Sequence, residues 1–256
     1  MKIDRSAWGR LRVTGSDRVR FLQGLTTVNT ETLADGAHAW GAILNPKGRV
    51  LTVIDVARVG ESFLIACEGS LAEKTQALLE RYAVMDDVTF EPLNGPAHVH
   101  WEDPLSVWTA PIVEGDAGDT QDSDPRAERL RIRGGFLRYG DDVDEDNFPF
   151  ETPLAQFLDY KKGCYVGQEP VFRVHAQGNS AKMLRALAIE GDAPIAKGAI
   201  VKHASKDKAG ELTSSVAAGD GTTIALAYLH RTVWDVGGIV EVDGRKATVH
   251  ELPWEE

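Results

Sequence analysis

Two cysteines, Cys67 and Cys164, are all that 256 residues contain, far apart and without a CxxC spacing. Taken alone, the chain therefore has neither a disulfide framework nor the four thiolates of an ordinary iron–sulfur centre. A reduced, cytoplasmic setting is expected. Positive charge is also scarce: 28 Lys and Arg stand against 39 Asp and Glu, a formal charge of −11. Nucleic-acid binders gather Lys and Arg on one face, so direct nucleic-acid binding is not expected, a local basic patch aside. No apolar run approaches the roughly 18 residues of a membrane span. The opening MKIDRSAWGRLRV also lacks a signal peptide's apolar segment, so no membrane partner is expected. At 43% hydrophobic residues the chain can bury a substantial core, and its length suits two intimately packed modules.

What is present reads as α+β. GRLRVTG alternates as a strand, and Ser16 is the expected N-cap of a helix carrying Val19, Phe21 and Leu22. HAWGAILNPKGRVLTVIDVARVGESFLIAC reads as three strands, turning at Asn45–Gly48 and at Gly60-Glu61. SLAEKTQALLERY is an amphipathic helix opened by a Ser70/Glu73 capping box, and DVTFEPL is a further strand. Residues 114–129 and the acidic GDDVDEDNF (140–148) read as solvated loops; the latter lacks EF-hand spacing, so no metal is expected. From Met183 onward, short alternating segments separated by turns, Asp243-Gly244 among them, predict a small antiparallel barrel. The boundary falls near 181, giving an α+β region over 1–180 and a β-barrel over 181–256.

The chemistry concentrates in KKGCYVGQEPVFRVH, Lys161 to His175. Thr152 as N-cap, Pro153 at the first position and a Leu154/Phe157/Leu158 stripe predict a helix that ends at Lys161-Lys162 and Gly163. A second helix begins near Gln168, with Glu169 and Arg173 one turn apart, and stops at Gly178. Cys164, Tyr165 and Gly167 then lie in an interhelical elbow, exposed and locally electropositive, where a thiol either does work or simply fits a tight corner. Tyr165 is a stacking partner for a planar ligand or a wedge between helices. His175 near Cys164 is read as a surface or packing residue ahead of a nucleophile's base, Asp159 as exposed helix, and Cys67, in the run FLIAC, as core.

Lys162-Gly163-Cys164-Tyr165-Val166-Gly167-Gln168-Glu169, with Arg173 following, resembles the K-G-C-Y-x-G-Q-E-x-x-x-R signature of the YgfZ family. These are folate-binding relatives of the glycine-cleavage T-protein that include mitochondrial assembly factors for iron–sulfur proteins. FLQGLTTVNT, LNPKGRVL and ELTSS resemble further segments of that family, so the similarity runs along the whole chain. It implies a glycine-cleavage T-protein-like fold with two interleaved α+β subdomains and a C-terminal antiparallel β-barrel. It also implies tetrahydrofolate in a central cavity, with Gln23, Asn29, Lys47 and Gly48 as candidate cofactor-binding residues. Assistance to iron–sulfur enzymes and cluster-assembly proteins, tRNA-thiolating ones among the beneficiaries, would run through Lys162 and Cys164 as the active pair.

Three departures qualify that picture. Aminomethyl-transferring T-proteins resemble N-x-x-G-G-x-x-D-D after the first hairpin, whereas here Thr52 and Val53 hold the carboxylate positions and Asp55 is shifted. Without that group the alternative, a folate-dependent one-carbon transferase, lacks a residue to orient the folate nitrogen. Family members often read R-x-E-x-G with the glutamate facing the pterin; here Arg131-Ile132-Arg133-Gly134-Gly135 puts a donor-only guanidinium there. Finally, EPVFR replaces the commoner E-M-V-A-R, with Pro170 and Phe172 stiffening and enlarging the elbow.

Overall fold

A computed structural model describes residues 1–178 and 180–255, with the side chains of His175, Ala176 and Gln177 outside the described set. The expectation for His175 therefore falls outside the described residues. In chain order the elements are β1 (Lys2–Asp4), β2 (Gly9–Thr14), α1 (Arg18–Leu25), β3 (His38–Leu44), β4 (Val50–Val59), β5 (Ser62–Cys67), α2 (Ala72–Tyr82) and β6 (Thr89–Pro92). There follow β7 (Ala97–His100), α3 (Ser106–Thr109), β8 (Val113–Glu114), α4 (Pro125–Gly134) and α5 (Gln168–Gln177). The last six strands are β9 (Lys182–Glu190), β10 (Ile200–His203), β11 (Lys206–Ala217), β12 (Thr222–His230), β13 (Ile239–Val242) and β14 (Arg245–His250).

The strands sort into three sheets. One has five antiparallel strands in the order β3-β4-β5-β2-β6, and α1 and α2 cover one face. There Phe21, Leu22, Leu25 and Leu79 meet Val13, Ile43, Ile54 and Phe63 in a single core. That is how period-two strands and amphipathic helices bury their apolar sides together. The second sheet, β1-β7-β8, takes its first strand from the chain's start and its second from Ala97–His100, which interleaves the two N-terminal units. The third closes as a six-stranded barrel, β10-β11-β12-β9-β14-β13, which leaves no open edge. Asp243 (φ 52°) and Gly244 (φ 74°) make its β13–β14 turn, as their dipeptide predicts. A second core joins all three units: Trp40 and Leu44 from the five-stranded sheet, Trp101, Trp108 and Phe136 from the middle of the chain, and Leu184, Ile224 and Leu226 from the barrel.

Several local expectations are corrected. Asp17, not Ser16, occupies the N-cap of α1, because the Ser16 hydroxyl is committed to Asp87. The Ser70/Glu73 box does not form; a 3₁₀ turn over Gly69–Leu71 leads into α2 instead. Helix α4 starts inside the stretch read as a loop, capped by the Asp124 carboxylate with Pro125 behind it. The helix expected after Thr152 is only a 3₁₀ segment, Pro153–Phe157, although Thr152 does cap it through the Leu154 amide. Phe157 is drawn against Trp108 at 5.5 Å between ring centroids, and the chain then leaves the helical path. Asp159 is accordingly not on a helix, and it is half-buried rather than exposed. The acidic stretch is not uniformly solvated either: Asp142 is completely buried, paired with Arg131 at 2.5 Å.

Candidate functional site

The cysteine stands on a loop, Leu158 to Gly167, between the 3₁₀ segment and α5. Lys161 is exposed and Lys162 is buried, a split that adjacent lysines in sequence do not disclose. The Lys162 ammonium donates to the carbonyls of Thr26 at 2.6 Å and Val28 at 2.5 Å. Burial pushes this amine down to about 7, while the carboxylates of Asp159 and Glu31 pull it the other way. Its Nζ also lies 5.0 Å from the centre of the Tyr165 ring. Tyr165 is buried, which drives its hydroxyl up to about 12. Gly163 turns the chain at φ +94°, and Cys164 follows, exposed to solvent. Cys67 is, as expected, part of the core, its thiol raised to about 11 by burial.

The N-terminal motif FLQGLTTVNT lies directly beneath this loop. Gln23 donates to the Lys162 carbonyl at 2.6 Å and accepts from the Thr30 amide at 2.8 Å. The Gly24 carbonyl accepts the Val166 amide at 3.0 Å. Asn29 donates to Asp159 at 2.7 Å, and the same carboxylate accepts the Lys161 amide at 2.8 Å. The hairpin motif arrives from the other side. Gly48 is buried, and a Cβ there would stand 3.1 Å from the Gly167 carbonyl; a Cβ on Gly167 would stand 2.4 Å from that of Asn45. Lys47, at the hairpin tip, is exposed. Gln168 is half-buried at the start of α5; Glu169 and Arg173 are exposed, one turn apart, with no ion pair between them among the described residues. Three motifs distant in sequence thus meet at one loop, and the sequence carried no sign of their pairing.

Thr52 and Val53, at the positions matching the transferase carboxylates, supply none. Thr52 is buried against Thr75 at 3.1 Å. Asp55 is buried and held by His38 Nδ1 at 2.8 Å, while His38 Nε2 donates to the Thr109 carbonyl at 3.0 Å. The Asp55 contact raises the His38 imidazole above its usual value.

For a pterin, Arg133 does not fit: its guanidinium lies over Trp254, 5.2 Å from the ring, and its carbonyl accepts the Trp254 amide at 2.7 Å. A guanidinium only donates, and so does a pterin's amino edge. A different place does offer a carboxyl and aromatic side chains in one cavity. A cavity of ≈ 470 Å³ is lined by Trp8, Phe136, Arg131, Arg138 and Glu68, among others. Glu68 accepts the Tyr139 amide at 2.9 Å, and burial lifts its carboxyl to about 7. Nothing in the sequence marks Glu68, which sits between β5 and the 3₁₀ turn and carries no motif. Among the described residues no cluster of three metal-ligating side chains occurs, and no helix is long and apolar enough to cross a membrane.

Comparison with known proteins yields a consistent set. Residues 2–100 match the GCVT N-terminal domain model. The mouse mitochondrial iron–sulfur cluster assembly factor IBA57 is 30% identical, over 86% of this chain and 74% of that protein. The tRNA-modifying protein YgfZ of Hamiltonella defensa is 26% identical over 69% of this chain. The IBA57 homologue of Pyricularia oryzae is 29% identical over 66%. These last two matches span only 66% and 52% of the relatives' own lengths. The crystal structure of glycine cleavage system aminomethyltransferase T from Bartonella henselae superposes with a TM-score of 0.82 at 18% identity, covering 98% of this chain and 85% of that one.

Proposed function

The chain belongs to the YgfZ/IBA57 family, and from that premise we propose that it supports assembly or repair of iron–sulfur enzymes, tRNA-modifying ones included, through Cys164. The observation that carries this reading is the convergence of the three motifs. Residues 23–30, the Asn45–Gly48 turn and the start of α5 combine to hold one loop whose exposed reactive side chain is a thiol. Its partners are iron–sulfur enzymes or cluster-assembly proteins met transiently, since one cysteine is too few to keep a cluster of the ordinary kind. A reduced compartment suits a working thiol. Supporting the reading, the mouse relative is named as an iron–sulfur cluster assembly factor and the bacterial relative as a tRNA-modifying protein.

The test is genetic: Cys164→Ala replaces the native chain in cells, and 4Fe–4S enzyme activities are assayed. We expect them to fall to the level of a strain lacking the protein, with fold and abundance unchanged. Unimpaired enzymes would remove the cysteine from the function.

Tetrahydrofolate, in this reading, is held by the Glu68 cavity. Glu68 would accept from the donor edge of the pterin, Trp8 and Phe136 would supply apolar surface, and the bound group would supply one-carbon carrying capacity. Titration of the protein with tetrahydrofolate should show saturable binding that Glu68→Gln weakens about tenfold, the worth of one charged hydrogen bond. Equal affinities in the two proteins, or no binding, would refute the assignment. Aminomethyl transfer is disfavoured, because Asp55 is bound to His38 and Thr52 carries no charge.

A further inference from the structure

Lys162 is fastened at both ends. It is 6% exposed, and its ammonium has a Thr26 carbonyl, a Val28 carbonyl and the Tyr165 ring around it. Its own carbonyl accepts the Gln23 amide, whose oxygen is taken up by the backbone and hydroxyl of Thr30. A buried amine without partners is costly, and so is a buried carbonyl without a donor. The lysine and the two carbonyls therefore partner one another. Asn29–Asp159 and Gly24–Val166 continue the seam on either side, so that residues 23–30 grip the loop at several points between 159 and 166. Beyond the seam, Gly163 lifts Cys164 into solvent.

We propose that Lys162 and Gln23 are positioning residues, which lock the 159–166 loop onto the 23–30 segment and present the Cys164 thiol at a fixed point beside the start of α5. Neither touches what the thiol reacts with. The significance of the device rests on the proposed function of Cys164, but its existence is testable without it.

The two cysteines supply probe and control. Cys164 is exposed and takes a nitroxide label; Cys67 is 2% exposed, so its reactivity toward a thiol reagent reports opening of the N-terminal sheet. Wild type, Lys162→Met, Gln23→Leu and the double variant are compared by label mobility and by hydrogen exchange of the Val166 amide. Each single change should mobilise the label and speed that exchange roughly tenfold, because Lys162→Met leaves two buried carbonyls without their cationic donor and Gln23→Leu leaves the buried Lys162 carbonyl without its amide donor. The double variant should go no further than the singles, and Cys67 should stay protected. An unchanged label spectrum in Lys162→Met overturns the proposal, and so does strict additivity of the two changes. Should Cys67 become reactive in these variants, Asn29→Ala, which cuts the link to Asp159 and the 3.3 Å contact with the Gln23 amide but leaves the bonds of Lys162 in place, decides: a mobile label with Cys67 protected supports the seam, an immobile one refutes it. Iron–sulfur enzyme activity is read separately. A mobile loop that still supports those enzymes upholds the positioning role and sinks the function proposed for Cys164.

Discussion

Single residues show how far burial alters otherwise identical chemistry. Lys161 and Lys162 are neighbours, yet only Lys162 is sealed beneath the loop, where burial lowers its amine from 10.5 to about 7. The folded chain gives up that proton near neutrality, whereas the unfolded chain keeps it into the ordinary lysine range. Between those limits the unfolded state binds more protons, so stability rises as pH climbs through the window. Chemical denaturation of wild type should show this gain on moving from neutral to alkaline pH, and Lys162→Met should lack it. Identical pH slopes for the two proteins would contradict the burial of a titrating amine here. The exposed cysteine and the buried one were separable from sequence, because Cys67 closes the apolar run FLIAC while Gly163 and Gly167 flank Cys164.

Elements meet at the cysteine loop through glycines of two kinds. Gly163 and Gly167 both have positive φ, at +94° and +80°, where a side chain is strained by roughly 1–2 kcal/mol. A Cβ at Gly163 meets open space, but one at Gly167 would press on the Asn45 carbonyl and on Gly48. Gly167→Ala should therefore cost about 1–3 kcal/mol more than Gly163→Ala, the usual penalty of overpacking. Urea denaturation of the two variants measures the difference, and equal losses would show that the hairpin and the elbow do not need their close approach. The strands here were legible, since their alternation is a local property that the sheet merely uses. The helix expected over 152–163 was not: Phe157 finds Trp108 and Lys162 finds two carbonyls far away in sequence, and those contacts outweigh local helical preference.

At the scale of the molecule, one carboxylate ties the barrel to the rest. Asp142 accepts Arg131 and the Arg138 amide on one oxygen, and the Thr213 and Ser214 hydroxyls of β11 on the other. Burial alone would raise its pKa, but Arg131 and the hydroxyls hold it below the ordinary carboxylate value. Its contribution is therefore present above that ordinary range and lost as pH falls through the lowered one. Asp142→Ala leaves Arg131 buried with an unmatched charge at that end, and should cost about 3–5 kcal/mol. A loss below about 1 kcal/mol in chemical denaturation would show that the three-way core carries the junction without it. In sequence, Asp142 is one acid among five in 141–146, with nothing local to mark it as the buried one.

The sequence by itself determined the strand and helix alternation, the terminal barrel, and the presence of a cysteine among turn-forming glycines, because periodicity and backbone preference act over a few residues. Tertiary structure alone decided that Gln23 and Asn29 belong under the cysteine loop, that Lys162 rather than Lys161 is buried, and that Asp142 and Glu68 are, with Asp55, among the carboxyls in partly or wholly desolvated places. Each of those outcomes depends on groups separated by tens of residues or more, whose desolvation and pairing exist only once the chain has closed upon itself.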